Sequence, residues 1–284
     1  MTPSNALWAI HLGALLFGLS GIFGKLADSA PEIITAGRSL FAVLALLVFA
    51  RLIGNVRLVN LGIKQTAALA LGGALLGGHW WAFFEAVNVS GVAIATLGFA
   101  SFPAFTVLLE NLLLRERANA IEYAMIGLVC LGLMLVTPHF DLSSQATSGL
   151  LWAVFSGFLF ALLSVLNRAS TQGVEPAQAA LYQNITVALL FLPLAWPSLP
   201  QTSAHNWLWM AMLGILCTGL AHTLFVASLR VLKARTTAVI FALEPVYGIA
   251  FAWLLFSEQP TLRMLAGGLL IVSAIFISAR LVKH

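Results

Sequence analysis

Charged side chains are scarce in this chain. Of its 284 residues, 8% are charged and 61% are apolar, whereas a soluble domain typically carries about 25% charged residues. The composition therefore excludes an ordinary soluble domain and indicates a protein whose main solvent is lipid.

The chain also lacks the residue groupings of common enzyme and metal sites. Its two cysteines, Cys130 and Cys217, lie in separate apolar runs and have no metal-ligand spacing. We interpret them as small packing residues. No zinc-ligand, serine-triad or phosphate-loop motif is present. We therefore predict no enzyme activity and no cofactor, with a polytopic membrane enzyme as the remote alternative.

What the chain has instead is a series of long apolar runs. A helix needs about 20 residues to cross roughly 30 Å of hydrocarbon. Runs of about that length cover residues 7–26, 32–52, 65–87, 91–114, 121–136, 149–169, 177–196, 207–229, 235–256 and 262–281. They are continuous and do not alternate at period two, so they predict helices and not barrel strands. We predict an all-α polytopic membrane protein with ten transmembrane helices.

The basic residues predict the orientation of these spans. Lys25 and Arg263 lie near one side of the membrane, and Arg38 lies inside the second span. The other eleven lie near the opposite side: Arg51, Arg57, Lys64, Arg115, Arg117, Arg168, Arg230, Lys233, Arg235, Arg280 and Lys283. The positive-inside rule then predicts a bacterial inner-membrane protein with both termini in the cytoplasm. These residues account for the net charge of +4, so no nucleic-acid partner is predicted.

The two halves of the chain repeat one pattern. Pro103 and Pro245 each lie inside an apolar run, and each is followed thirteen residues later by a glutamate, Glu116 and Glu258. Each half contains five predicted spans, which is an odd number. The halves should therefore enter the membrane in opposite senses, as in the inverted repeats of many secondary transporters.

The repeat predicts the domain organisation. We place the first five-helix repeat at residues 1–137, an inter-repeat loop at 138–148 and the second five-helix repeat at 149–284. Exchanging the conformations of two such repeats would open a midplane site to each side in turn.

One segment of the second half carries a family resemblance. Residues 241–258 read FALEPVYGIAFAWLLFSE. This resembles the signature of the drug/metabolite transporter superfamily, specifically its ten-helix EamA-type exporters. The resemblance covers essentially the whole chain and implies export of amino acids or other small metabolites. The first half departs from the pattern, because Phe102 precedes Pro103 where Glu244 precedes Pro245.

The matched prolines predict two hinges near the bilayer midplane. A proline inside a helix pushes away the carbonyl four residues earlier, which would free the carbonyls of Phe99 and Phe241. A free carbonyl at that depth is tolerated only against protein or water. We expect Pro103 and Pro245 to act as hinges and both carbonyls to contact substrate, with a purely structural kink as the alternative.

Glu244 is the only carboxylate near the middle of a predicted span. Because an ionised carboxylate in lipid is costly, it should face the protein interior, be protonated or have a partner. The functional hypothesis is that it binds a substrate amine or a coupling proton. The alternative is a structural hydrogen bond to a neighbouring helix.

The third span contains a dense aromatic group, His79-Trp-Trp-Ala-Phe-Phe84. Helical spacing places His79 and Phe83 on one stripe and Trp80 on the adjoining face, beside Gly73 and Gly77, which permit close helix approach. An aromatic wall next to a polar ring suits a substrate with a flat apolar side chain. For the tryptophans, the alternative is the aromatic belt at the membrane interface.

Further polar residues lie inside predicted spans, among them two serines and Arg38. Ser20 and Ser164 match when the halves are shifted by 144 residues, so they are candidates to border a shared cavity. Arg38 lies about 9 Å into its span, from a rise of about 1.5 Å per residue. This places it on the outer side, where it would either attract a substrate carboxylate in an outer vestibule or be locked to Glu32, Asp28 or Glu85.

These observations predict a monomeric secondary or facilitative transporter that exports small metabolites by alternating access. Amino acids, with aromatic ones favoured, are the predicted substrates. Sugars, nucleobases and cationic drugs are the alternatives for a carrier of the same fold. The predicted partners are the lipid bilayer and the small-molecule substrate, and proton exchange is left open as the driving force.

Overall fold

The computed structural model describes residues 2–53, 60–136, 143–170, 173–221, 223–224, 228, 232, 240 and 243–281. Within these residues the secondary structure is helical, without a β-strand. The α-helices are α1 (Pro3–Leu26), α2 (Pro31–Ile53), α3 (Ile63–Phe99), α4 (Phe102–Leu114), α5 (Ala120–Val136), α6 (Gln145–Ser170), α7 (Pro176–Ala195), α8 (Ala204–Met212), α9 (Glu244–Phe256) and α10 (Leu262–Leu281). A 3-10 helix (Trp196–Gln201) follows α7, and a π-helix (Leu213–Leu220) continues α8.

Several of the helices have the composition and length of membrane spans. Five of the described ones are long and apolar enough to cross a bilayer: Pro3–Leu26, Pro31–Phe49, Ile63–Phe99, Gln145–Ser170 and Pro176–Gln201. Large apolar side chains such as Leu189 and Leu254 are exposed on the outer surface, where lipid rather than water would surround them. The all-α membrane architecture predicted from the sequence is confirmed.

The third and fourth predicted spans are joined differently from the prediction. The sequence places a connection between residues 87 and 91, but α3 continues through it and kinks at Gly91 alone (φ 82°, ψ 170°). A backbone in this region favours glycine because it has no Cβ. The carboxylate of Glu258 accepts hydrogen bonds from the backbone amides of Val92 and Ala93, at 3.3 and 3.2 Å. It thereby caps the helical segment that restarts after the kink, which makes a longer connection unnecessary.

The two matched prolines begin helices and do not interrupt them. The fourth predicted span is broken between Phe99 and Phe102, and Pro103 lies in the first turn of α4. Pro245 likewise lies in the first turn of α9. The first turn tolerates proline because its amide would have no partner within the helix. In place of the expected mid-helix kink at Pro103, the helix is interrupted at two residues, Ala100 and Ser101, which both keep right-handed helical dihedral angles.

Glycines allow the helices to pack closely. α3 packs along α6 and α7, α2 contacts α7 and the π-helix, α1 contacts α9, and α5 contacts α10. A Cβ on Gly73 would stand 2.7 Å from the carbonyl oxygen of Gln183 on α7. Gly77 approaches the ring of Phe191 in the same way. The predicted close approach at these two glycines is confirmed.

The π-helix lies against α2 at the residues that matter for the site. A Cβ on Gly214 would stand 2.5 Å from the carbonyl oxygen of Arg38, so the two backbones are in direct contact. The wider turn of the π-helix carries Cys217 and Thr218. π-Helical turns are rare and are found frequently at functional sites.

Candidate substrate-binding site

Arg38 lies at the centre of a buried polar group. Its side chain on α2 is only 4% exposed, and its Nε donates a 2.9 Å hydrogen bond to the hydroxyl of Thr218. The guanidinium carbon lies 4.0 Å from the ring centre of Trp80 on α3. A cation over an indole face is attracted by the ring quadrupole. Three helical segments therefore hold this cation inside the protein.

The opposite charge comes from Glu244 at the start of α9. Glu244 is half-buried, and its carboxylate and Arg38 attract each other through space. Neither residue takes part in a direct ion pair in the described part of the chain. The alternative in which Arg38 is locked to Glu32, Asp28 or Glu85 is therefore wrong for the described residues.

Small polar groups surround these two charges. Ser20 on α1 is 7% exposed, and its hydroxyl lies beside the buried thiol of Cys217. The hydroxyl of Thr35, one turn before Arg38, is fully buried and has no hydrogen-bond partner among the described residues. Buried hydroxyls normally find a partner. A polar ligand or water would supply one.

Five rings form an aromatic cluster next to this polar group: His79, Phe83, Phe99, Phe102 and Phe160. The ring of His79 lies 5.0 Å from Phe99, 5.0 Å from Phe160 and 6.4 Å from Phe83. Phe102 stacks on Phe99 at 5.3 Å and meets Phe160 edge-on at 5.2 Å. These separations are typical of attractive aromatic contacts.

His79 is held in place by Ser156 of α6. The ring Nδ1 lies 2.7 Å from the Ser156 hydroxyl, which also donates a 3.1 Å hydrogen bond to the carbonyl oxygen of His79. A hydroxyl that donates its proton to the carbonyl accepts from the ring, so Nδ1 carries a proton. The other ring nitrogen, Nε2, is then the group that can accept a proton or a ligand bond.

The structure places the other predicted residues as follows. The Ser164 hydroxyl donates a 2.8 Å hydrogen bond to the carbonyl of Phe160 in its own helix. The carbonyl oxygen of Phe99 lies 3.0 Å from where a Cβ of Gly157 would stand, so α6 covers it. Phe241 lies outside the described residues.

Three members of the site have no clear signal in the sequence. Thr218, Ser156 and Phe160 are ordinary residues of apolar runs. Their roles depend on which face of a helix meets Arg38 or His79, and, for Thr218, on a π-helical turn. Hydropathy along the chain does not report either property.

The site is closed in this conformation. Arg38 and Trp80 are each 4% exposed, and His79 is 7% exposed. An open cavity of about 520 Å³ lies elsewhere, at the end of α1 beside Lys25 and Gly91. No group of three or more histidine, cysteine, aspartate or glutamate side chains in the described ranges could hold a metal ion.

Comparison with known proteins agrees with this architecture. The model of the EamA-like transporter family matches the chain twice, over residues 4–137 and 147–280. An uncharacterized transporter of Archaeoglobus fulgidus is 25% identical over 96% of this chain and 95% of its own length. The pseudopaline exporter of Pseudomonas aeruginosa is 28% identical over 100% of this chain and 98% of its own length.

A solved structure shares the fold. A protein crystal structure that is 18% identical in sequence superposes with a TM-score of 0.68, covering 98% of this chain and 97% of that chain. At this level of identity the similarity shows the fold alone.

Proposed function

Because the chain belongs to the EamA-like transporter family, we propose that it is a secondary or facilitative transporter that exports small amphipathic metabolites. Amino acids, with aromatic ones favoured, are the substrates that its site suits best. The observation that carries this proposal is a buried aromatic cluster around His79 whose neighbour Trp80 faces Arg38, the cation that the Glu244 carboxylate attracts. A carboxylate attracts a substrate amine, and offset or edge-on rings hold a flat apolar side chain.

The mechanism that we propose is alternating access between two inverted repeats of five helices, giving ten spans in total. The family model matches each half of the chain once, and five spans per half require opposite orientations. The closed site would then open to one side at a time. Closure removes water, so the charged groups act on the substrate in a medium of low dielectric constant.

The membrane setting completes the proposal. The family and the apolar helices place the chain in a membrane. We propose the inner membrane of a bacterium, both termini in the cytoplasm, and a monomer as the working unit. The driving force is either the substrate gradient or proton exchange at Glu244 or His79.

Transport by the purified protein in liposomes tests the proposal. Labelled amino acids, sugars, nucleobases and a cationic drug are each assayed with and without a pH gradient. Aromatic amino acids should enter protein-containing liposomes well above the level of empty ones. If another class moves and no amino acid does, the transporter assignment stands and the substrate proposal is wrong. Stimulation by an opposing pH gradient would favour proton exchange.

A further inference from the structure

Arg38 is buried, yet most of its N–H donors have no hydrogen-bond partner among the described residues. An unpaired donor in a buried position is costly. A guanidinium has five N–H donors and no acceptor. Among the described residues only its Nε donates, to Thr218, although the side chain is 4% exposed. Buried charged groups are normally paired and hydrogen-bonded. The two terminal nitrogens of Arg38 are therefore available to a ligand.

The neighbouring residues orient the guanidinium of Arg38 but leave its two terminal nitrogens without hydrogen bonds among the described residues. The hydrogen bond of Nε to Thr218 orients one edge, and the Trp80 ring covers one face at 4.0 Å. The backbone contact of Arg38 with Gly214 holds α2 against the π-helix that carries Thr218. Such an arrangement leaves the forked end of the side chain in a defined direction. That fork matches the two oxygens of a carboxylate.

Glu244 attracts Arg38 without occupying its hydrogen-bond donors. The two groups attract each other, yet they form no direct ion pair in the described part of the chain. A molecule with both an anionic and a cationic group could lie between them. Its anionic end would take the donors of Arg38, and its cationic end would take the oxygens of Glu244.

From these contacts we infer that Arg38 binds the carboxylate of the transported substrate, with Thr218 and Trp80 as its positioning residues. This inference rests on the proposed function and narrows it, because the site then requires a carboxylate as well as an amine. Amines without a carboxylate, sugars and neutral nucleobases are poor ligands for such a site. An analogue that lacks a hydrogen-bonding group leaves the buried partner unsatisfied, and for this reason it is rejected.

The test compares an acid with its own ester. L-Phenylalanine and L-phenylalanine methyl ester share the amine and the ring, but only the acid carries an anionic carboxylate. Binding to purified wild-type protein is measured by competition and by thermal stabilisation. The acid should bind at least about tenfold more tightly than the ester, as expected for a charge-assisted contact in a buried site. Equal binding of the two compounds would overturn the inference.

The variants localise the effect to Arg38. Arg38→Gln should remove the preference for the acid while binding of the ester persists. Thr218→Val removes the hydroxyl that accepts the hydrogen bond of Arg38 Nε. It should lower the ratio of acid affinity to ester affinity without abolishing the preference for the acid. Arg117→Gln removes an exposed arginine outside the site and is the matched control, so its ratio should equal that of the wild type. An Arg38→Gln protein that keeps the full preference contradicts the inference.

Two outcomes need a second measurement. If Arg38→Gln does not fold, Arg38→Lys and Thr218→Val replace it. A smaller ratio of acid affinity to ester affinity in these variants supports the inference, and an unchanged ratio contradicts it. If wild-type protein binds no amino acid, the proposed substrate fails, and the same comparison is made with small hydroxy acids, dicarboxylic acids and their methyl esters. Preference for any acid that depends on Arg38 supports the carboxylate site. Failure of every carboxylate to bind rejects it.

Discussion

The helices α4 and α9 have the same backbone in the two halves of the chain and different chemistry at their first residue. Each begins one residue before its proline, at Phe102 or at Glu244. Each has 13 residues and is followed by a residue in the left-handed conformation, Arg115 (φ 58°) or Ser257 (φ 57°). The residue at the start differs completely, since one half carries an aromatic ring and the other a carboxylate.

The ends of the two helices match in their hydrogen bonds as well. The amide of Glu116 donates to the carbonyl of Glu110, and the amide of Glu258 donates to the carbonyl of Ala252, both at 3.3 Å. Each glutamate also binds a cation near the end of the first helix of the other half. Lys25 binds Glu258, and Arg168 binds Glu116. The backbone of these helices and the ion pairs at their ends are therefore repeated in the two halves. The first residues, Phe102 and Glu244, have diverged.

Removing the carboxylate of α9 should have the largest effect. Glu244→Gln keeps the size and hydrogen-bonding shape of the side chain but removes its charge. If the carboxylate holds a substrate amine, transport should fall about a hundredfold, in line with the roughly 2–5 kcal/mol lost when one partner of a buried charged contact is truncated. The measurement is substrate counterflow in liposomes.

The control for this variant is Glu85→Gln on α3, which removes a half-buried carboxylate outside the described site. It should transport as the wild type does. Full activity of Glu244→Gln would make both amine binding and proton coupling at this residue untenable.

Making the first half resemble the second should cost stability. Phe102→Glu places a carboxylate against Phe99 and Phe160 and removes two ring contacts. We expect a loss of about 3 kcal/mol in the free energy of unfolding, from lost aromatic packing and an uncompensated charge. Phe102→Leu, which stays apolar, should lose about half as much. Thermal unfolding in detergent measures both, and equal melting temperatures for Glu and Leu would show that this position does not face the cluster.

The shared backbone can be broken at one glycine in each half. A Cβ on Gly157 would stand 3.0 Å from the carbonyl oxygen of Phe99, and one on Gly18 would stand 3.0 Å from that of Glu244. Gly157→Ala and Gly18→Ala should each destabilise the protein by about 1–3 kcal/mol, because backbone cannot give way as a flexible side chain does.

Gly127→Ala is the matched control, since a Cβ there would meet nothing within 4 Å. Its melting temperature should equal or slightly exceed that of the wild type, because alanine favours the helix. If the two packed glycines tolerate alanine equally well, the helix breaks are not held by close contact with α1 and α6.

The smallest effects are expected at the two anchoring glutamates, and they should be unequal. Glu258 is 18% exposed in its side chain and also caps Val92 and Ala93, whereas Glu116 is 49% exposed. Glu258→Gln should therefore cost about 1–2 kcal/mol of stability and Glu116→Gln less than about 1 kcal/mol. Melting temperatures at low and high salt distinguish them, because the more exposed pair is the more strongly screened. If Glu116→Gln lost more stability than Glu258→Gln, this prediction would be wrong.

Some of the site was predictable because it depends on single positions in long apolar runs. Glu244 is conspicuous as a midspan carboxylate, and the stripe of His79 and Phe83 follows from helical spacing. The glycines beside them predicted close helix contact, which the packing of α3 on α7 confirms. The partners of His79 were not predictable, since Ser156 and Phe160 lie on a helix from the other half of the chain.

The local backbone geometry was predicted less well than the helical membrane architecture. Pro103 suggested a kink, but the helix is interrupted at Ala100 and Ser101, where α6 packs against the carbonyl of Phe99 through Gly157. The connection expected near residue 88 is a single glycine, Gly91, because Glu258 caps the helical segment that follows it. In both places a residue from the distant half of the sequence contacts the irregular backbone.

The sequence by itself determined that this is a helical membrane protein built from two similar halves. Scarce charge, long apolar runs and the matched proline and glutamate positions are properties of the chain read in order. Only the tertiary structure decided that Arg38, Thr218 and Trp80 meet, and that Glu244 lies close enough to attract Arg38. The physical reason is that helix faces and the π-helical turn are set by packing between distant helices, whereas hydropathy reports only how long a segment stays apolar.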